Sequence, residues 1–199
     1  MVLPWIILIG GGRKTMATEL DTMGETHTGV REGKVIAVCY SAQLINGVGK
    51  EVHDSGEITT WGIPGDKHYG ETRVSRGRTV PNNRPITVLG AEGLRDACER
   101  LGIESIPAGG LGENLLVEGL GDLSDVQPGD ELHVRSADGE AGPALKVFKQ
   151  NDPCSNLQVY HKMMVKELFG KRGLLCKVLR EGTVRVGDTV ELVRGGAEA

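Results

Sequence analysis

Paired cysteines are missing from this sequence. Its four cysteines, Cys39, Cys98, Cys154 and Cys176, are scattered, and no two stand in C-x-x-C spacing. That argues against a zinc ribbon, a thioredoxin-type couple and an iron–sulfur cluster. A chain of 199 residues needs no disulfide framework, and a reducing cytoplasm is the expected compartment. Aromatic residues are few, 4% of the chain. Long apolar runs are absent as well. The stretch Val2 to Ile9 is too short to span a bilayer. No charged segment precedes it and Gly10-Gly11-Gly12-Arg13-Lys14 follows it, a poor fit to a secretory signal. No membrane association is therefore expected. Nor is one sign of charge in large excess. A net charge of −4 speaks against a general nucleic-acid-binding surface but permits a local basic pocket.

The length suits one well-buried core rather than two domains. Thirty glycines with few aromatics suit many turns and short strands better than a helical bundle. Residues 10–31 show no hydrophobic period, and residues 1–30 are expected to be a mobile extension. The folded domain is then residues 31–195, followed by a short tail, 196–199. Within it, Lys34–Tyr40, Pro85–Leu89, Ala144–Lys149 and Leu174–Leu179 read as strands, with shorter ones near Lys50–Val52 and Glu57–Trp61. Pro128-Gly129-Asp130 and Val186-Gly187-Asp188 each open a run of strict polar/apolar alternation, a Gly-Asp turn into a half-buried strand, with His133 on the polar face beside Glu131. Ala91–Leu101 reads as a helix, with Leu94, Ala97, Cys98 and Leu101 on one stripe and Gly102 as its stop. The sum is a mainly β domain, a partly closed β-barrel with about two helices.

Several stretches carry candidate chemistry. Asn151-Asp152-Pro153-Cys154-Ser155-Asn156-Leu157 lies between a strand and a helix predicted over Leu157–Phe169. A helix N-terminus favours thiolate over thiol, so Cys154 is a candidate nucleophile or metal ligand, whereas Cys39, Cys98 and Cys176 read as packing. In the loop Gly62–Gly70, Asp66 and His68 stand two apart, suited to binding a ligand, steering a proton or stabilising the turn. Residues 71–84 hold Arg73, Arg76, Arg78 and Arg84 against a single acid, Glu71. This is either a solvated loop or a grip for phosphate. Pro107–Gly112 is a glycine-rich turn before the strand Leu115–Val117. Its backbone N–H groups suit either an anion nest or an ordinary turn. No Gly-Lys-Ser/Thr follows, and no strand and helix flank it as a dinucleotide fingerprint requires.

Taken in order, Gly65-Asp66-Lys67-His68, Arg84-Pro85-Ile86-Thr87-Val88, Gly110-Leu111-Gly112-Glu113-Asn114-Leu115, Gly129-Asp130, Pro153-Cys154 and Gly187-Asp188 resemble the MOSC domain, named after the C-terminal domain of molybdenum cofactor sulfurase. The resemblance covers roughly residues 33 to 193. It implies a barrel like the pyruvate kinase β-barrel domain and binding of the molybdenum cofactor, a pterin with a dithiolene and a phosphate. It also implies that Cys154 ligates molybdenum or carries a persulfide. By the same resemblance Asp66, His68, Glu113 and Asn114 would hold the pterin or an oxo ligand. The backbone around Gly110 and Gly112, with Arg73, Arg84 or their neighbours, would meet the phosphate. One departure stands out: the family pattern has an arginine three residues before the cysteine, and here that residue is Asn151. The implied activities are reduction of N-hydroxylated compounds with a separate electron-donor protein, sulfur delivery fed by a cysteine desulfurase, and carriage of the cofactor for another protein. No PLP, NAD, FAD or iron–sulfur motif accompanies them.

Overall fold

The computed structural model describes residues 30–75 and 77–195. The expected extension (but for Val30), the tail and Arg76 lie outside the described residues. The elements run β1 (Arg31–Cys39), β2 (Val52–His53), β3 (Ser55–Ile58), β4 (Thr72–Ser75), β5 (Arg78–Pro81), β6 (Ile86–Gly90), α1 (Ala91–Leu101), β7 (Leu115–Glu118), β8 (Glu131–Arg135) and β9 (Ala141–Gln150). After a 3-10 turn over Ser155–Val159 come α2 (Met164–Glu167), β10 (Leu174–Arg180), β11 (Gly182–Arg185) and β12 (Thr189–Val193).

The main sheet runs β12-β8-β9-β10-β6-β7-β1, and β1 pairs again with β12. The seven strands therefore form a closed barrel, where the sequence predicted partial closure. Closure removes the unpaired edges that an open sheet of short strands would expose. Antiparallel neighbours predominate, but β6 and β7 are parallel. A parallel pair needs a crossover, and α1 lies on it. Gly102 ends α1 in the left-handed conformation, as its sequence position predicts.

Alternation divides each strand between two environments. Ile86, Val88, Leu132, Val134, Leu145, Val147, Leu174, Cys176, Val190 and Leu192 fill the lumen. Leu89, Leu116, Ala97, Cys98, Leu157, Met164 and Leu168 form a second cluster, bringing outward strand residues together with α1 and α2. Each fully buried Val or Leu contributes roughly 1.5–3 kcal/mol over leaving it in water. Asp130 and Asp188 are both buried. Each carboxylate accepts from a backbone N–H three residues earlier, Gln127 at 2.9 Å and Arg185 at 2.8 Å. The two echoing Gly-Asp turns are thus one device used twice, launching the paired strands β8 and β12.

Two expectations require correction. Residues 71–84 contain the antiparallel hairpin β4–β5 rather than only a loop. The helix predicted over Leu157–Phe169 is broken into the 3-10 turn and the single turn of α2. Its apolar period is satisfied piecewise, by Leu157 on one side and Met164 and Leu168 on the other. Between them the Tyr160 hydroxyl donates to the Gly110 carbonyl, and the Met163 N–H donates to His161 Nδ1. No helix among the described residues is long and apolar enough to cross a membrane.

Between α2 and β10, Gly173 has φ +86°, and a Cβ there would lie 2.1 Å from the Val88 carbonyl oxygen. Gly173→Ala is expected to lower the unfolding free energy by roughly 1–3 kcal/mol or more. Urea denaturation checks this, and an unchanged midpoint would contradict the tight approach.

Candidate functional site

A cleft of about 740 Å³ lies against the outer wall of the barrel. Its floor includes Thr87 of β6 and Leu175 of β10, paired across the sheet, which alternate with the lumen residues Ile86, Val88, Leu174 and Cys176. The walls are loops: residues 44–50, the segment from Lys67 through the β4–β5 hairpin to Pro85, the turn before β7, the stretch after β9, and Arg172. Among the described residues that line it, five are Lys or Arg, namely Lys50, Lys67, Arg73, Arg84 and Arg172, and none is Asp or Glu. In a chain of net charge −4 that segregation is a local feature and suits an anionic ligand.

Cys154 lines this cleft and is exposed, whereas Cys39, Cys98 and Cys176 are buried. Burial raises the thiol pKa of all three, Cys39 to about 12 with the Glu113 charge adding to the effect. Cys154 precedes a 3-10 turn rather than a long helix, and its side chain makes no cap. The predicted dipole is therefore short. Arg172 lies near enough for the Cys154 charge to bear on its guanidinium.

Asp66 is buried behind the cleft. One oxygen accepts from the His68 N–H at 2.8 Å and faces His68 Nδ1 at 3.3 Å. The other meets Lys50 Nζ at 2.8 Å and Asn114 Nδ2 at 3.2 Å. Burial acts to raise its pKa, but the His68 hydrogen bond and the Lys50 charge outweigh that and hold it at about 2. Asp66 thus anchors the loop and aims the His68 ring, which lines the cleft. Asn114 also lines it, with its amide spent on Cys39, Asp66 and Thr87.

The glycine-rich turn is not an anion nest. Gly109 and Leu111 donate their N–H groups to the two oxygens of Glu113, at 2.7 and 3.1 Å. Gly110 and Gly112 donate to Pro107 and Gly109 carbonyls. All four donors are spent inside the turn. Glu113 is fully buried and does not line the cleft, and Gly110 does not either. Burial pushes the Glu113 pKa up, opposed by the backbone donors and by Arg172 and Lys50.

Of the candidate arginines, Arg73 and Arg84 line the cleft and Arg78 does not. Burial and the adjacent Arg73 charge both lower the Arg84 pKa, with Asp152 acting the other way. Like charges held together in this way suit an anionic ligand. Sequence reasoning missed Lys50, Lys67 and Arg172. The signal for the last was Gly170-Lys171-Arg172-Gly173, a basic pair between glycines before a strand. Asn82 was missed too: its amide donates to the His68 and Gly70 carbonyls, both at 3.0 Å, tying the hairpin to the Asp66 loop. No group of three or more His, Cys, Asp and Glu residues is arranged to hold a metal ion among the described residues.

The geometry defines a small closed-barrel domain with an external cationic cleft and an exposed thiol. The MOSC domain family profile matches residues 64–191, and the chain belongs to that family. It is 31% identical over 172 residues to YuaD of Bacillus subtilis strain 168, covering 77% of this chain and 86% of that protein. The name of that protein proposes a role in metal-sulfur cluster biosynthesis. The crystal structure of Bacillus subtilis YuaD superposes with a TM-score of 0.72 at 27% identity, over 82% of this chain and 97% of that one. YiiM from Geobacillus stearothermophilus shares the fold, with a TM-score of 0.59 at 23% identity over 84% and 78% of the chains.

In the native protein a maleimide should add to Cys154 alone, giving one adduct by intact mass and none in Cys154→Ser. Labelling of Cys39, Cys98 or Cys176 before unfolding would contradict their burial. Asp66→Asn leaves Lys50 charged and unpaired, and should cost about 3–5 kcal/mol at pH 7. Lys50→Met/Asp66→Leu should recover most of that loss. Because the folded pKa of Asp66 lies below its unfolded value, its contribution is complete above about pH 4 and is lost as the pH falls toward 2. The acid limb of a stability–pH curve should therefore be shallower in Asp66→Asn.

Proposed function

We propose that this chain binds the molybdenum cofactor in the cleft, with the Cys154 thiolate as the protein ligand to the metal. The observation that carries the reading is the conjunction of an exposed thiol with a cleft lined, among the described residues, by five Lys and Arg and no carboxylate. A phosphate and a dithiolene are both anionic, and a thiolate is a soft ligand matched to a metal–sulfur centre. The buried nitrogens of Arg73 and Arg172 that lack a partner among the described residues support the fit, since a bound anion would complete them.

On this reading Lys67, Arg73 and Arg84 hold the phosphate, while Asn114 and Thr87 form the floor beneath the pterin. Gly110, Gly112 and Glu113 act indirectly, by fixing the turn that carries those contacts. When bound, the cofactor would supply a two-electron redox centre. Reducing an N-hydroxylated compound takes two electrons and two protons and releases water, so a separate electron donor is required. His68, its ring steadied by Asp66, is the candidate proton donor.

A second reading is favoured by the exposure of Cys154. A thiol open to solvent on the outside of the barrel can accept a sulfane sulfur from a partner's persulfide, such as that of a cysteine desulfurase, and pass it to another thiolate. No net oxidation is involved, because each transfer regenerates the donor thiolate. The name of YuaD is compatible with this role.

Anaerobic reconstitution with molybdenum cofactor separates the two. Wild type is expected to bind about one equivalent of metal and pterin, with a protein sulfur ligand in the X-ray absorption spectrum that Cys154→Ser lacks. Equal uptake and an identical metal spectrum in both proteins would remove the ligand role and direct attention to persulfide on Cys154.

A further inference from the structure

Two of the five cations lining the cleft, Lys50 and Arg172, are buried, and among the described residues only Lys50 of these two has a carboxylate partner. Arg172 is 7% exposed. One terminal nitrogen, Nη2, donates to the Leu111 carbonyl. Nε and Nη1 are buried with no hydrogen-bond partner among the described residues, and between them they hold three N–H donors. Glu113 is near enough for its charge to bear on the guanidinium, but its two oxygens accept from Gly109 and Leu111. A single carbonyl contact does not require a guanidinium. Burying one with donors unspent is costly unless something completes it.

The position of Arg172 is also informative. The Asn151 N–H donates to the Gly173 carbonyl at 2.8 Å, extending the β9–β10 ladder beyond the Gln150–Leu174 pair. Arg172 therefore stands across the sheet from the chain that leads into Cys154. The positive charge absent at Asn151 is present one strand away. Its segment is firmly held: Lys171 reaches outward to Asp96 at 3.0 Å and Asp122 at 3.5 Å, and Gly173 packs on the Val88 carbonyl. The guanidinium is pre-organised in a fork geometry suited to oxoanions.

Building on the cofactor-cleft reading above, we propose that Arg172 is the anion-binding group at the buried end of this cleft, supplying from beside β10 the charge that Asn151 does not. Its ligand is a tetrahedral oxoanion, either a phosphate monoester group or a molybdate-type metal oxoanion. The two share the chemistry that a guanidinium recognises, and they differ in whether Arg172 meets the phosphate or the metal end of a cofactor whose metal Cys154 holds.

The test is binding of inorganic phosphate and of molybdate, measured separately by calorimetry on the full chain. The proteins compared are wild type, Arg172→Met, Arg172→Lys and the double variant Asn151→Arg/Arg172→Met. Wild type should bind at least one of the anions, and Arg172→Met should weaken that binding about tenfold or more. Arg172→Lys should fall between them, and the double variant should recover much of the loss. A loss confined to phosphate assigns the phosphate end, and one confined to molybdate the metal end. Wild-type affinity for both anions in a folded Arg172→Met protein would overturn the proposal, as would absence of anion binding in wild type. Should Arg172→Met fail to fold, two measurements decide: Arg172→Lys, and the shift of the Arg172 Nε–H resonance of wild type on adding anion. An unmoved resonance counts against the proposal. Cofactor uptake measured in parallel keeps the two readings distinct. Anion binding through Arg172 without cofactor uptake would preserve this inference and remove the one beneath it. Cofactor uptake with anion binding indifferent to Arg172 would do the reverse.

Discussion

The Glu113 carboxylate, buried and divided between two backbone N–H groups, is the contact on which the rest of the site depends. It closes the turn Gly109–Gly112 on itself and leaves the turn's carbonyls able to accept from outside it. Those four carbonyls then receive the Lys50 N–H, the Tyr160 hydroxyl, the Arg172 guanidinium and the Thr87 hydroxyl. Four separate parts of the chain are located by one turn. Its glycines do not approach a ligand. They allow the backbone to approach the protein's own groups, as at Gly109, where a Cβ would lie 2.4 Å from the Lys50 carbonyl.

The electrostatics follow from that arrangement. Asp66 and Glu113 both lie behind the cleft, buried, with their oxygens spoken for. The cations in front are left facing one another, as the effect of Arg73 on Arg84 shows. Acidic residues thus set the geometry of a basic surface without neutralising it. Lys50 is the exception, paired with Asp66, and the pair serves as a fixed post between the Asp66 loop and the strand entry at Lys50.

Much of this was legible in the residues. Strict alternation marked β8 and β12, the apolar stripe marked α1, and Gly102 marked its end, because each depends on side chains within a few positions. The Pro-Cys junction singled out Cys154 because the motif is local and ordered among others. What escaped depended on partners far away in the chain. The predicted helix over Leu157–Phe169 had the right period, but Tyr160 is committed to Gly110 and His161 takes the Met163 N–H, so the period is honoured without a helix. The hairpin at Thr72–Pro81 was obscured by charge, since both its faces are largely solvated and carry no hydrophobic alternation. Arg172 was invisible for the same reason in reverse: a basic residue between glycines reads as surface, and only the pairing of β9 with β10 turns it inward. The glycine turn offered two meanings, and the Glu113 contacts decide for the internal one.

The location of the cleft on the barrel's outer wall has an evolutionary consequence. The lumen is filled by one set of alternate residues and constrained by volume, so substitutions there must conserve bulk. The cleft is assembled from the other set and from loops, and is constrained by charge and reach. The two sets of positions are free to drift under different selection. A charge lost at one wall position can be regained from a neighbouring strand without disturbing the packing inside. Asn151 and Arg172 have the relationship such a relocation would leave behind.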